Sequence, residues 1–188
     1  MTPTTLDPVP ALVVIDLQKG IVTVPTVHPA EGVVERSAQL AAAFRRHGLP
    51  VVLVNVTGRA PGRTESDAAR PAGEPPPDWV ELVPELGAQP DDVLVTKQRW
   101  GAFHATSLHD DLQSRGVTQV VLAGIATSIG VESTARAAYE HDYNVLLATD
   151  AMTDRDADAH ANSIGRIFPR LGEIATTAEI LALLDGRG

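Results

Sequence analysis

Three charged residues stand directly after runs of mostly apolar residues, a position from which a side chain can act on a ligand at the edge of a core. They are Asp16, Lys97 and Asp150. A carboxyl group in such a place is partly desolvated, which raises its pKa and suits it to acid–base chemistry. A lysine there can pair with the carboxylate or bind an anionic substrate as a point charge. Taken singly, each residue can equally be a solvated or capping group at the end of a strand.

A further candidate is the segment of residues 125–130, which leads from an apolar run into a helical pattern. Backbone N–H groups at the start of a helix favour anions, so the segment can form an oxyanion site or be a plain turn. Within it, Ser128 is followed along the chain by Asp150 and His160, the serine–acid–histidine order of a serine hydrolase. The acid comes only one strand–helix unit later and no glycine-rich oxyanion loop precedes the serine, so a Ser128 hydrolase is an alternative only.

Composition excludes several kinds of chemistry. The 188 residues include no cysteine, which excludes thiol nucleophiles, disulfides and cysteine-ligated metals. A net charge of −9 disfavours nucleic-acid binding. No apolar run approaches the roughly 20 residues of a membrane span, and the first residues do not resemble a secretory signal. The histidines show no metal-binding spacing. We therefore expect a cytoplasmic protein that acts on a small molecule, without a metal or other cofactor, and that binds neither nucleic acid nor membrane.

Short apolar runs alternate with alanine-rich helical patterns along the chain. The predicted strands are residues 11–16, 50–56, 92–96, 119–124, 144–149 and 173–175, and the predicted helices are residues 31–47, 105–115, 129–141, 156–168 and 177–185. Continuous apolar strands are typical of a parallel sheet that is covered on both faces. The pattern predicts one α/β domain over residues 1–188, built as a three-layer α/β/α sandwich. Ligands of such sheets bind beyond the carboxyl ends of the strands, where the candidate residues lie.

Residues 57–91 interrupt this alternation. They contain seven prolines and four glycines, so they cannot form a long regular element. Long loops of compact domains are usually functional or disordered. We predict a loop that covers the site, with a short helix at residues 79–83, and the alternative is a floppy surface insertion.

Three segments of the chain resemble the isochorismatase-like hydrolase superfamily. They are residues 13–18 (VVIDLQ), 96–103 (TKQRWGAF) and 124–136 (GIATSIGVESTAR). They occur in the order of that superfamily, each at a predicted strand end, and the likeness extends over about residues 11–184. The resemblance implies a doubly wound parallel sheet of strand order 3-2-1-4-5-6 (Rossmann-like), often assembled into a homo-oligomer.

The resemblance also implies roles for individual residues. Most members of the superfamily are amidohydrolases with an Asp–Lys–Cys triad, in which Asp16 and Lys97 would take the first two places. A cis peptide bond between Ile125 and Ala126 would shape the oxyanion hole. Thr127 and Ser128 would contact the substrate together with that peptide. Apart from the resemblance, Arg99, Trp100 and Phe103 closely follow the lysine and are candidates to line the pocket, although Trp100 and Phe103, three residues apart, can equally be core or oligomer contacts.

The third place of the triad departs from the pattern, because Gly130 stands where the nucleophilic cysteine is expected. No thioester can form there, which closes the usual amidase route. Isochorismatases of the superfamily need no cysteine: their aspartic acid protonates an enolpyruvyl vinyl ether, and water then adds. We therefore expect a hydrolase of a small anionic metabolite such as isochorismate, with Asp16 as general acid/base, Lys97 assisting and Gly130 leaving room for substrate.

Besides the Ser128 hydrolase, the sequence leaves two further points open. Ala126 and Ser128 stand where isochorismatases carry an aromatic residue and a histidine, so the identity of the substrate is open. Loss of the nucleophile also fits an inactive pseudoenzyme that binds a metabolite.

Overall fold

A six-stranded parallel sheet forms the centre of the computed structural model, which describes residues 3–65 and 75–187. The strands are β1 (Pro10–Ile15), β2 (Val51–Val56), β3 (Val93–Lys97), β4 (Gln119–Ile125), β5 (Asn144–Thr153) and β6 (Glu173–Ala175). Their order is 3-2-1-4-5-6 and every pairing is parallel. The predicted sheet is confirmed, and with it the doubly wound topology.

Helices cover both faces of the sheet. They are α1 (Lys19–Val22), α2 (Ala30–Arg46), α3 (Leu108–Ser114), α4 (Glu132–Glu140), α5 (Ala157–Asn162) and α6 (Thr177–Asp185). Residues of α2 and α6 share one apolar core with Leu12 and Val14, while residues of α3 and α4 share a second core with Val13 and Ile15. Because successive side chains of β1 point to opposite faces, this strand is buried along its whole length. The three-layer α/β/α sandwich predicted from the sequence is therefore confirmed.

The predicted helix 156–168 is shorter than expected. Regular α-helix ends at Asn162, and a π-helical turn (Ser163–Ile167) and a 3-10 turn (Phe168–Arg170) follow. Gly165 weakens helical preference, and Pro169 lacks the N–H that would continue α-helical bonding. The predicted helix 129–141 likewise begins later, at Glu132, after a π-helical turn (Thr127–Val131).

Strand β5 is longer than predicted and changes the position of Asp150. The sequence suggested that the strand ends before Asp150, because a carboxylate interrupts the apolar run. Instead β4 shifts its register after Leu122 and pairs again with Met152 and Thr153. Asp150 therefore lies within the strand, where it accepts hydrogen bonds from the N–H and hydroxyl of Thr177. The residues that follow the strand at the site edge are Asp154 and Arg155.

The described part of the proline-rich segment packs beside α1. Leu82 forms an isolated bridge with Gln18, so the short helix predicted at residues 79–83 is wrong, and a 3-10 turn follows at Pro84–Leu86 instead. The side-chain amide of Gln18 donates to the carbonyl oxygens of Val56 and Trp79 at 3.1 and 3.0 Å. These bonds fix the segment near the carboxyl end of β1. Residues 66–74 of the predicted covering loop lie outside the described residues, and a covering role stays a prediction.

The described residues form no helix that is long and apolar enough to cross a membrane.

Candidate active site

Asp16 and Lys97 form a buried ion pair at the carboxyl ends of β1 and β3. Nζ of Lys97 lies 2.7 Å from Oδ2 of Asp16, and the two residues are 1% and 6% exposed, respectively. The same nitrogen donates to the carbonyl oxygens of Arg99 at 3.2 Å and Trp100 at 2.7 Å. Three acceptors thus match the three hydrogens of the ammonium group. Lys97 is held in place by the loop that follows it, with its charge directed at the carboxylate.

The Asp16 carboxyl is asymmetric. Oδ2 is bonded to Lys97, whereas Oδ1 is buried and has no hydrogen-bond partner among the described residues. Burial raises the pKa of Asp16 to about 6, because desolvation outweighs the opposite effect of Lys97. The residue also has a left-handed backbone, with a φ of 54°, which side-chain-bearing residues adopt rarely and mostly at functional sites. The carboxyl can therefore be protonated around pH 6, and Oδ1 is its unpartnered oxygen.

Gly130 completes the cluster. A Cβ atom built there would lie 3.2 Å from Oδ2 of Asp16, 3.5 Å from Nζ of Lys97 and 2.9 Å from Cγ2 of Ile15. Any side chain at this position would therefore touch both members of the ion pair. With glycine, no side chain from this position covers either member of the pair.

The ion pair lies in the wall of a cavity of about 240 Å³. Most of the wall is apolar, and three cationic residues interrupt it: Lys97, Arg99 and Arg155. The remaining lining residues are Asp16, Ile21, Val24, Thr26, Val56, Gly58, Trp100, Ile125, Ala126, Ile129 and Gly130. A small apolar pocket with a few convergent charged groups is typical of a metabolite site. The charges here favour an anionic ligand.

The segment after β4 forms one side of the cavity. The peptide bond between Ile125 and Ala126 is cis, as the resemblance to the superfamily implied. The π-helical turn at Thr127–Val131 then begins, and the carbonyl oxygen of Ala126 accepts the N–H groups of Ile129 and Val131. This turn is what brings Gly130 against the ion pair.

Comparison with known proteins shows the family to which the chain belongs. The profile of the isochorismatase domain family matches residues 10–179, which is most of the chain. The chain belongs to the isochorismatase family. It is 44% identical over 180 residues to the "Uncharacterized isochorismatase family protein YecD" of Escherichia coli O157:H7, over 93% of this chain and 95% of the relative. The solved isochorismatase family protein BTH_II2229 of Burkholderia thailandensis superposes with a TM-score of 0.91 at 45% identity, over 98% of this chain and all of that one.

A more distant relative has an activity in its name. Maleamate amidohydrolase of Pseudomonas putida is 30% identical over 184 residues, which cover 93% of this chain and 86% of the relative.

Some of the residues proposed from the sequence lie in the cavity wall. Arg99, Trp100, Ile125 and Ala126 line the cavity together with the ion pair. Phe103 does not, because the N–H of Ala102 is bonded to Thr134 of α4, which turns the chain toward the sheet. The ring of Phe103 packs in the core.

Thr127 and Ser128 also do not line the cavity. The side chain of Thr127 turns away from it and is fully buried against His160. The N–H of Ser128 donates to Oδ2 of Asp154 at 2.6 Å. Both residues therefore fix the segment through contacts outside the cavity.

The serine hydrolase triad considered above is not assembled. Nδ1 of His160 lies 2.9 Å from the hydroxyl of Thr127, not of Ser128. Asp150 is bonded to Thr177 and pairs with Arg36. The described residues also contain no group of three or more histidine, aspartate or glutamate side chains that could hold a metal ion.

Among the cavity residues that the sequence did not reveal are Arg155, Ile21 of α1 and Val24, which follows α1. Arg155 was hidden because the predicted strand ends at residue 149, four residues before the observed end of β5 at Thr153, so the sequence put Asp150 at the strand end. Ile21 and Val24 belong to a short helix and turn too small to give a periodic signal.

Proposed function

We propose that this protein is a cysteine-independent hydrolase of a small anionic metabolite, with the enolpyruvyl vinyl ether isochorismate as the first candidate substrate. The observation that carries the proposal is the carboxyl of Asp16, whose unpartnered Oδ1 and raised pKa suit a general acid in the wall of the cavity. Gly130 beside it rules out a covalent thioester but leaves room for a substrate.

The proposed reaction begins with proton transfer from Oδ1 of Asp16 to the methylene carbon of the enolpyruvyl group. The adjacent carbon becomes an oxocarbenium ion, which the ether oxygen stabilises. Water adds to this carbon and gives up a proton, which restores the acid form of Asp16. The hydroxyl proton of the resulting hemiketal passes to the ether oxygen as the bond from that oxygen to the hemiketal carbon breaks, which yields pyruvate and an alcohol, so one water molecule is consumed overall.

Lys97 presents a difficulty for this chemistry that an anionic substrate resolves. The ammonium group lowers the pKa of Asp16, whereas the reaction needs Asp16 protonated. A substrate carboxylate close to Lys97 would offset its charge and favour the protonated acid. The proton would then be most available when substrate is bound.

Arg99 and Arg155 supply further positive charge around the apolar part of the cavity. Nη1 of Arg99 donates to the carbonyl oxygens of Arg59 and Gln98, which fixes the guanidinium of this lining residue. Guanidinium groups bind carboxylates in charge-assisted hydrogen bonds. The P. putida relative supports an anionic substrate, because maleamate carries a carboxylate. Its amidase activity does not transfer directly, since Gly130 provides no nucleophile.

Pyruvate release from isochorismate by the purified protein tests the proposal. Asp16→Asn keeps the shape of the side chain but removes the transferable proton, and we expect it to lower the rate at least about 100-fold. Asp92→Asn is the matched control, because Asp92 is a buried carboxylate paired with Arg45 away from the cavity. If the wild-type protein releases no pyruvate, isochorismate is not the substrate. If Asp16→Asn retains full activity, Asp16 is not the acid.

A metabolite-binding pseudoenzyme is the second candidate, favoured by the glycine at position 130. It predicts that isochorismate binds in a calorimetric titration without turnover, and that Asp16→Asn leaves the affinity unchanged. The homo-oligomer and the cytoplasmic location expected from the sequence stay predictions.

A further inference from the structure

A buried hydroxyl and a buried histidine meet behind the wall of the cavity. Thr127 is fully buried, and its Oγ1 lies 2.9 Å from Nδ1 of His160, which is 8% exposed. Thr127 directly follows Ala126, which lines the cavity, while Thr127 and His160 themselves do not line it. The pair can therefore affect a ligand only through the backbone that it holds.

The surroundings of His160 favour the neutral form of its imidazole. Burial is the largest effect on the pKa of His160 and lowers it, and the neighbouring His28 lowers it further, whereas Asp154 acts in the opposite direction. The ring of His28 meets that of His160 edge to face, with 5.2 Å between centroids. In the tautomer with its proton on Nε2, Nδ1 accepts the hydroxyl hydrogen of Thr127. A buried hydroxyl is thereby satisfied and its orientation is fixed.

The residues next to Thr127 are held as well. The carbonyl of Ala126 accepts two backbone N–H groups of the π-helical turn, and the N–H of Ser128 donates to the buried carboxylate of Asp154. Gly130, two residues after Ser128, lies against the ion pair of Asp16 and Lys97. Thr127 is thus the point where this turn is attached to α5, and a rotation there would shift both Ala126 and Gly130.

We infer that His160 is a positioning residue of the active site. Through Thr127 it holds the backbone from Ala126 to Gly130 at the separation from Asp16 that proton transfer to a bound substrate needs. The kinetic consequence rests on the proposed function, whereas the geometric role does not.

Two substitutions of His160 distinguish the effect of its hydrogen-bond acceptor from the effect of its side-chain volume. His160→Leu fills the space but offers no acceptor, whereas His160→Asn can offer its amide oxygen near the place of Nδ1. For pyruvate release we expect His160→Leu to lower kcat about tenfold with KM changed less than about twofold, because the substrate still binds but lies out of line with the acid. His160→Asn should recover most of the wild-type kcat.

His109→Leu is the matched control. Nδ1 of His109 also lies near a hydroxyl, that of Tyr143 at 3.1 Å, but the pair does not line the cavity. We expect this variant to keep the wild-type kcat. A His160→Leu variant with wild-type kcat, or a His160→Asn variant as impaired as His160→Leu, would overturn the inference.

A second measurement does not depend on any substrate. Since the chain has no cysteine, Gly130→Cys introduces a single thiol at the ion pair, and its alkylation by iodoacetamide reports the local geometry. In that background His160→Leu should change the alkylation rate at least about fivefold, while His160→Asn and His109→Leu should not. If the wild-type protein releases no pyruvate, the proposed function fails, but the alkylation rate still tests the positioning role. An alkylation rate that is unchanged in His160→Leu would refute that role.

Discussion

Lys97 binds only one oxygen of the Asp16 carboxyl: Nζ is 2.7 Å from Oδ2, and Oδ1 has no partner among the described residues. The two oxygens therefore differ in role. The bonded oxygen fixes the direction of the carboxyl, and under the proposed function the unpartnered oxygen carries the proton. Because the same lysine is held by two carbonyl groups of its own loop, the carboxyl is oriented before any ligand binds. The predictions below follow from this asymmetry and from the elements that support it.

The first prediction concerns pH. Burial raises the pKa of Asp16 to about 6, and the proposed reaction uses the protonated form. The fraction of protonated Asp16 falls as pH rises through that value, so kcat/KM should be highest below pH 6 and fall about tenfold per pH unit above it. Lys97→Met removes a charge that lowers this pKa, so the falling limb should move to higher pH. A pH profile of pyruvate release measures both effects.

Lys19→Met provides the control for that experiment, because Lys19 is the only other lysine of the chain. Lys19 is exposed and pairs with Asp78 and Glu81 instead of Asp16. Its removal should leave the position of the limb unchanged. If kcat/KM instead rises with pH, Asp16 acts as a base. If Lys97→Met does not shift the pH at which kcat/KM falls, the titrating group is not Asp16.

The second prediction concerns the two arginines of the cavity. If Arg99 and Arg155 bind substrate carboxylates and take no part in proton transfer, their removal weakens binding of ground state and transition state alike. Arg99→Ala and Arg155→Ala should each raise KM about tenfold and change kcat little, because a charge-assisted hydrogen bond contributes about 1.5–3 kcal/mol. Arg170→Ala, at an exposed position outside the cavity, is the control. Unchanged KM values in both variants would place the substrate anion elsewhere.

The third prediction concerns the position of the missing nucleophile. A sulfur introduced by Gly130→Cys would lie close to both members of the ion pair, because even a Cβ atom there is 3.2 Å from Oδ2 of Asp16 and 3.5 Å from Nζ of Lys97. The nearby ammonium group favours the thiolate, so alkylation by iodoacetamide should be faster than for a free thiol. The same side chain occupies the space proposed for substrate, so pyruvate release should fall. We expect Asp16→Asn to change the alkylation rate, and an inert thiol would contradict the contact with the ion pair.

The sheet was predictable because continuous apolar runs separated by helical patterns have few other solutions. The ends of the elements were less predictable, because they depend on pairing across the sheet. Asp150 looked like a strand end from its charge alone, but the register shift of β4 carries β5 on to Thr153 and places Arg155 at the cavity. Phe103 looked like a pocket residue by its nearness to Lys97, and the Ala102–Thr134 bond turns it inward. Contacts between distant segments decide such cases, and a single sequence does not display them.

The last prediction concerns Gly124, which sets the distance between β1 and β4 just before the site. Its φ of +120° is a conformation that side-chain-bearing residues rarely adopt, and a Cβ atom there would lie 2.0 Å from the carbonyl oxygen of Ile15. Gly124→Ala must therefore push apart the two strands that carry Asp16 and the segment of Gly130. We expect it to lower the free energy of unfolding by roughly 3 kcal/mol or more in urea titrations, from backbone strain and overpacking together. Gly165→Ala, where an added Cβ meets no atom within 4 Å, should leave the stability nearly unchanged. Equal stabilities of the two variants would show that β1 and β4 can separate freely, and the orientation of Asp16 would then need another support.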